Sequence, residues 1–252
     1  MINPALDLSP DGDLVAGCRA NLAAVGMFTI PDFMVAEAVE ASLTQARPLF
    51  ATEAFLHQRS HNIYFADVPE LPRDHPALVE RETTNRTLCA DQIPGSPLLA
   101  LYEEPAFAGF LAACMDKPAL HVMADTLARV NVMTYGAGEA LNWHFDRSEF
   151  TTTLLLEEPR EGGEFEYRPD LRTADDPNYD GVARLMAGRD EGVKSLRLTP
   201  GALNVFKGRN TAHRVAPPKG DRNRTIAVFS YFDRPGVMFS DEERIGFYGR
   251  AG

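Results

Sequence analysis

The sequence predicts a mainly β chain with α additions. Its core should be a double-stranded β-helix, a jelly roll, with N-terminal helices packed outside. Three observations carry this. Apolar residues in the first half recur at helical spacing, the texture changes after Leu120 to short alternating segments, and Gly and Pro punctuate those segments. With 252 residues the chain can bury a real core and reads as a single domain, 1–252. Within it fall a mainly helical portion 1–119, a catalytic jelly-roll core 120–235 with an insertion at 169–192, and a C-terminal extension 236–252.

Leu14, Val15, Cys18, Leu22 and Ala23 recur at helical spacing, and Gly26 is the stop. Met27 to Ile30 reads as a short strand before Pro31, and Val35 to Ala46 as a second helix ending ahead of Pro48. The stretch from Ala51 to Pro97 looks irregular, with helix only at Thr52 to Gln58, and Pro105 opens a helix that runs to Met115. Eight strands follow, at residues 126–135, 141–146, 151–156, 164–168, 194–198, 203–207, 211–216 and 224–232. The polar insertion carries a short helix at Val182 to Met186, and its length suits a lid.

The chemistry lies in those strands. In His144-Phe145-Asp146 side chains alternate faces, so His144 and Asp146 point the same way and Phe145 the other. A third ligand must come from another strand, and His213 follows the alternating Ala202 to Phe206. Two imidazoles and a carboxylate form the facial ligand set of non-haem Fe(II), with positions left open for a chelator and O2. Arg224 heads the apolar run Thr-Ile-Ala-Val-Phe. There a planar guanidinium could grip the far carboxylate of a dicarboxylic chelator, and 2-oxoglutarate fits that description. Arg222 lies close by, but Arg224 directly begins the strand. Asn142 shares the inward face with His144 and is a candidate substrate contact; Trp143 faces the other way and packs. Glu164, after Gly162-Gly163, is a second candidate, for a cationic substrate group. His57, His61, His75 and His121 are read as exposed or capping residues of the helical portion.

From Val130 to Asp233 the chain resembles the Fe(II)/2-oxoglutarate-dependent oxygenases, through His144-x-Asp146, the distal His213, Arg224, Val-Met-Thr-Tyr-Gly before the first ligand and Gly162 to Tyr167. The opening Gly26 to Phe33 and the closing Arg-Pro-Gly look similar to the group of free-amino-acid halogenases and hydroxylases, such as a free-lysine chlorinase. The resemblance implies Fe(II) held by His144, Asp146 and His213, 2-oxoglutarate anchored by Arg224, and Tyr135 as a further cosubstrate contact; Thr151 and Thr153 share one face of their strand, and one of them, Thr153 by preference, is a candidate to reach the cosubstrate. Halogenases of that group carry Gly or Ala where this chain has Asp146, so hydroxylation is the implied outcome. Many relatives carry Arg-x-Ser where this chain reads Arg224-Thr225-Ile226, so any serine hydroxyl must come from elsewhere.

The implied substrate is a small polar molecule, a free amino acid such as lysine, oxidised with O2. One rival is a peptidyl hydroxylase of the same chemistry, which needs an open groove. The other is a non-catalytic cupin-like metal-binding protein, which has no need of a buried arginine clamp. A formal charge of −11 argues against nucleic-acid and anionic-membrane partners. Cys18, Cys89 and Cys114 form no Cys-x-x-Cys pair and no disulfide framework, which with the absence of a basic apolar leader makes a reducing cytoplasm the expected location.

Overall fold

The computed structural model describes residues 1–252. Helix α1 (Asp13–Val25) buries Val15, Cys18 and Leu22 and stops at Gly26, whose φ of 74° closes the last turn onto the Leu22 carbonyl. Strand β1 (Met27–Ile30) follows, then helix α2 (Ala36–Thr52). This helix runs through Pro48 rather than stopping before it. Leu49 and Phe50, beyond the proline, pack against the main core, and that packing offsets the about 3 kcal/mol that a mid-helix proline costs.

The stretch read as irregular holds two long strands, β2 (Phe55–His61) and β3 (Arg81–Cys89), paired antiparallel over seven residues. The helix expected at Thr52 to Gln58 is therefore mostly strand. Helices α3 (Pro97–Tyr102) and α4 (Pro105–Cys114) each open on proline at the first turn. Then come β4 (His121–Val122), β5 (Val130–Tyr135), β6 (Leu141–His144), β7 (Thr151–Glu157), β8 (Phe165–Arg168), α5 (Tyr179–Met186), β9 (Lys194–Leu196), β10 (Leu203–Phe206), β11 (Ala212–Val215), β12 (Arg224–Phe229), β13 (Tyr231–Phe232) and α6 (Asp241–Tyr248).

Two sheets face each other as the jelly roll. The larger has the order β1-β10-β7-β12-β5-β3-β2 and the smaller β6-β11-β8-β9. Period-two alternation divides the larger sheet cleanly. Val130, Val132, Leu154, Leu156, Leu203, Val205, Ala227 and Phe229 point outward into the main core, where α1 to α4 cover them. The intervening positions, among them Tyr135, Thr151, Thr153, Asn204, Phe206 and Arg224, share the opposite face, as their cross-strand register requires. One face holds the molecule together and the other is free to carry polar chemistry. No helix is long and apolar enough to cross a membrane.

The insertion 169–192 packs on the smaller sheet. Its Leu171, Val182 and Leu185 pack with Trp143, Phe145 and Ala212, the residues of β6, its exit and β11 that alternate away from His144 and His213. Those side chains buttress the smaller sheet from behind.

Candidate active site

Antiparallel pairing sets His144 directly opposite His213 on β6 and β11, with ring centroids 4.0 Å apart. Each imidazole is aimed by its own strand: His144 Nδ1 donates to the Asn142 carbonyl at 2.8 Å, and His213 Nδ1 to the Thr211 carbonyl at 3.0 Å. A proton committed to Nδ1 leaves the Nε2 lone pair free, the arrangement a metal-binding histidine needs. Asp146 stands just past the end of β6, its backbone N–H on the Gly208 carbonyl at 3.0 Å. Its carboxylate meets His144 Nε2 at 3.4 Å and His213 Nε2 at 3.3 Å. The ligand atoms of the three residues all lie within 4.8 Å of one another, a spacing one ion can span.

The surroundings hold that geometry. The Thr151 hydroxyl donates to the Asp146 carboxylate. Gly208 lies so close that any Cβ there would collide with the Asp146 carboxylate and the Thr151 hydroxyl, so only glycine fits. Burial by itself would raise the Asp146 carboxyl, but His213 first and then His144, both set against it, outweigh burial and hold the group well below the usual carboxylate range. His144 is pushed down, first by burial and then by His213, against the pull of Asp146. An ionised carboxylate and a neutral imidazole are the protonation states in which they bind a metal.

Arg224, at the start of β12, pairs across the ladder with Tyr135 on β5 and is 2% exposed. Its Nη1 is buried with no hydrogen-bond partner. Burial pulls the guanidinium down to about 10, with the Tyr135 hydroxyl opposing, so it is charged at neutral pH. A buried, charged donor without an acceptor suits an anion, because an unmet charge-bearing group in low dielectric is costly. Arg222, by contrast, is exposed and lies 4.0 Å from Glu158. Thr153 is on the inner face with Arg224, its hydroxyl donating to the Asn204 carbonyl at 3.3 Å.

Two expected substrate contacts are placed otherwise. The Asn142 amide donates to the Glu82 carbonyl and its backbone N–H to the Thr83 hydroxyl at 3.1 Å, so the residue staples β6 to β3. Glu164 precedes β8, where Phe165 turns its ring to His213 at 5.7 Å and Glu166 on the opposite face pairs with Arg214. By the same alternation Glu164 points away from the histidines. His61 also departs from expectation. It is a buried strand residue whose Nδ1 donates to the Asn62 carbonyl at 2.9 Å while its Nε2 accepts from Thr83 at 2.6 Å. His75 does cap, accepting from the Ala77 N–H at 3.2 Å ahead of a short 3-10 turn. Gly208 and His61 lacked any local signal, since their roles arise from neighbours distant in sequence, and Thr151, a candidate cosubstrate contact alongside Thr153, donates to Asp146 instead.

A facial His-Asp-His cluster and a buried arginine inside a jelly roll define a non-haem Fe(II)/2-oxoglutarate oxygenase, and solved structures share the fold. An oxidoreductase of the 2OG-Fe(II) oxygenase family from Burkholderia pseudomallei matches with a TM-score of 0.56 at 16% identity, over 90% of this chain and 94% of that one. The α-ketoglutarate-dependent carbocyclase SnoK of nogalamycin biosynthesis gives 0.62 at 14% identity, over 97% and 92%. HygX from Streptomyces hygroscopicus, with nickel and 2-oxoglutarate bound, gives 0.57 at 12% identity, over 88% and 87%. No curated protein matches the sequence. The sequence profile of the halogenase D family matches residues 11–237, and the chain belongs to that family. The protein is thus an enzyme that uses Fe(II) and 2-oxoglutarate.

Proposed function

We propose that the enzyme hydroxylates an unactivated C–H bond of a free amino acid, with iron held by His144, Asp146 and His213 and 2-oxoglutarate anchored by Arg224. The observation that carries hydroxylation over halogenation is Asp146: the carboxylate stands in the triad, where a halide would need a coordination position of its own. Membership of the halogenase D family supports a small substrate of the amino-acid kind. The donor set, two imidazole nitrogens and a carboxylate oxygen, suits Fe(II), and the unpartnered buried Arg224 suits a carboxylate. That same arginine speaks against a barrel that merely holds a metal.

Bound iron and 2-oxoglutarate supply the oxidising power, one O2 being divided between the new hydroxyl group and succinate as CO2 is lost. The chain's own contribution is positional. The Asn142 and Thr211 carbonyls hold both imidazoles with Nε2 facing inward. Thr151 and the tight Gly208 backbone keep Asp146 ionised and fixed beside them. Arg224, dry on the inner face with Tyr135 opposite, gives the cosubstrate one orientation. Thr153 lines that face, and Tyr135 is its aromatic wall.

The test is mass spectrometry of products from enzyme, Fe(II), 2-oxoglutarate, O2, high chloride and a mixture of free amino acids. Wild type should add one oxygen and no chlorine. Asp146→Gly should lose hydroxylation and open the position to chloride. A chlorinated product from wild type would overturn the role given to Asp146, and consumption of no amino acid would overturn the substrate class.

A further inference from the structure

We infer that the carboxylate of the substrate docks on Arg59 and His57, on the inner face of the edge strand β2. The inference rests on the free-amino-acid reading above and adds where on the protein the acid end is held. Cross-strand register puts His57 opposite Asn85 and Arg59 opposite Thr83, and Thr83 and Asn85 are buried, so the β2 side chains beside them share the inner face. From there Arg59 reaches the metal site through aromatic contacts. Its guanidinium lies 4.7 Å over the Phe65 ring, and Phe65 stands edge-on to the candidate ligand His144 at 5.7 Å. Phe65 takes a left-handed backbone, φ 54°, stacks on His61 at 4.1 Å and stays 38% exposed, so it forms part of the site's rim.

Arg59, over Phe65 beside the metal site, has no counter-charge. The chain has 36 acidic residues against 25 basic, yet none is set against this guanidinium. Burial draws three arginines below their ordinary value. Arg172 keeps Asp146 as a counter-charge and spends its Nε on the Arg209 carbonyl at 2.7 Å. Arg224 has only the Tyr135 hydroxyl, and Arg59 forms no ion pair. Arg224, buried, and Arg59, exposed at the edge strand, therefore both lack an anion, and Arg224 is already given to 2-oxoglutarate. A guanidinium stacked on an aromatic ring keeps its N–H edge free for bidentate pairing with a carboxylate.

His57 completes the dock. Its Nδ1 is buried with no hydrogen-bond partner, whereas the neighbouring His61 uses both ring nitrogens within the fold. Burial, Arg59 and His61 push His57 down to about 4, so at neutral pH it is an uncharged imidazole able to donate one hydrogen bond. A charged fork and a neutral donor side by side suit a single carboxylate.

The experiment measures substrate-stimulated 2-oxoglutarate consumption with three sets of probes: free L-amino acids, their carboxamides, and their N-acetyl derivatives, which keep the carboxylate. Wild type should prefer acid to carboxamide by about tenfold or more, as loss of a charge-assisted bidentate pair requires. Arg59→Gln should raise KM for the acid and bring the acid-to-carboxamide ratio near unity, with kcat changed less. Arg59→Lys should restore part of the preference, and His57→Gln should give a smaller rise in KM. Iron content and 2-oxoglutarate affinity, measured on each variant, should stay at the wild-type level. If only N-acetyl acids stimulate, the carboxylate dock stands and the free-amino-acid reading falls. If Arg59→Gln keeps the wild-type preference, or if no compound bearing a carboxylate stimulates turnover, the dock is overturned.

Discussion

The two halves of the candidate site are built on opposite principles. On the smaller sheet, His144 and His213 have their Nδ1 protons placed on backbone carbonyls and their Nε2 atoms near Asp146, which Thr151 also holds. Each of the three ligand side chains there has a hydrogen-bond partner. On the larger sheet, Arg224 is sealed at 2% exposure with Nη1 facing nothing that can accept from it. The difference teaches which half is preorganised and which is left for a ligand to complete. A triad whose carboxylate and imidazoles already have hydrogen-bond partners can fold without metal. A buried guanidinium without an acceptor is a standing cost that a carboxylate relieves on binding, and that relief is available as affinity.

The largest effect should come from the preorganised half. His213→Ala removes one of three ligands and one of the neighbours of Asp146, so iron content should fall to background and turnover with it. Full activity in that variant would break the comparison at its base. Next is Arg224→Ala, which should weaken 2-oxoglutarate by about 2–5 kcal/mol, the range for truncating one partner of a buried hydrogen-bonded charge pair. Iron binding should persist. Titrating 2-oxoglutarate against the metal-to-ligand absorption band measures both. Arg222→Ala, at the surface beside Glu158, should leave the midpoint in place; a shift there and none at Arg224 would exchange their roles.

Much of this arrangement was legible in the chain because it follows from period two and short apolar strands. The His144-x-Asp146 spacing, the distal His213, Arg224 at the head of an apolar run, and the eight strands from β5 to β12 all carry local patterns. What escaped has physical reasons. In β2, His57-Gln58-Arg59-Ser60 is polar on both faces, since an edge strand at the mouth of the roll buries little on either side, so no alternation marks it. Helix α2 outruns Pro48 because tertiary packing of Leu49 and Phe50 overrides a local rule. The facing of Glu164 and the stapling of Asn142 to Glu82 depend on strand register, which a sequence does not display. Helix α6 was a different kind of miss, for Ser240 and Glu243 form a capping box readable as Ser-x-x-Glu.

The smallest effect sharpens the comparison most, because it separates the two halves without removing a ligand from either. Thr151→Val keeps the shape of a β-branched strand residue and deletes only the hydroxyl that donates to Asp146. If the triad is held by such donors, iron affinity should fall about 10–100-fold, the usual cost of losing a partner of a metal ligand. The 2-oxoglutarate midpoint at saturating iron should stay put, since Arg224 lies on β12 and makes no contact through Thr151. Thr153→Val is the matched control on the same face of the same strand, its hydroxyl donating to the Asn204 carbonyl and not to Asp146. It should leave iron affinity unchanged. Competition against a chelator of known affinity gives the iron numbers for both. Equal losses in the two variants would mean that the strand as a whole, and not the Thr151 hydroxyl, fixes Asp146. An unchanged Thr151→Val would mean that the two histidines and the Gly208 backbone hold the carboxylate without help.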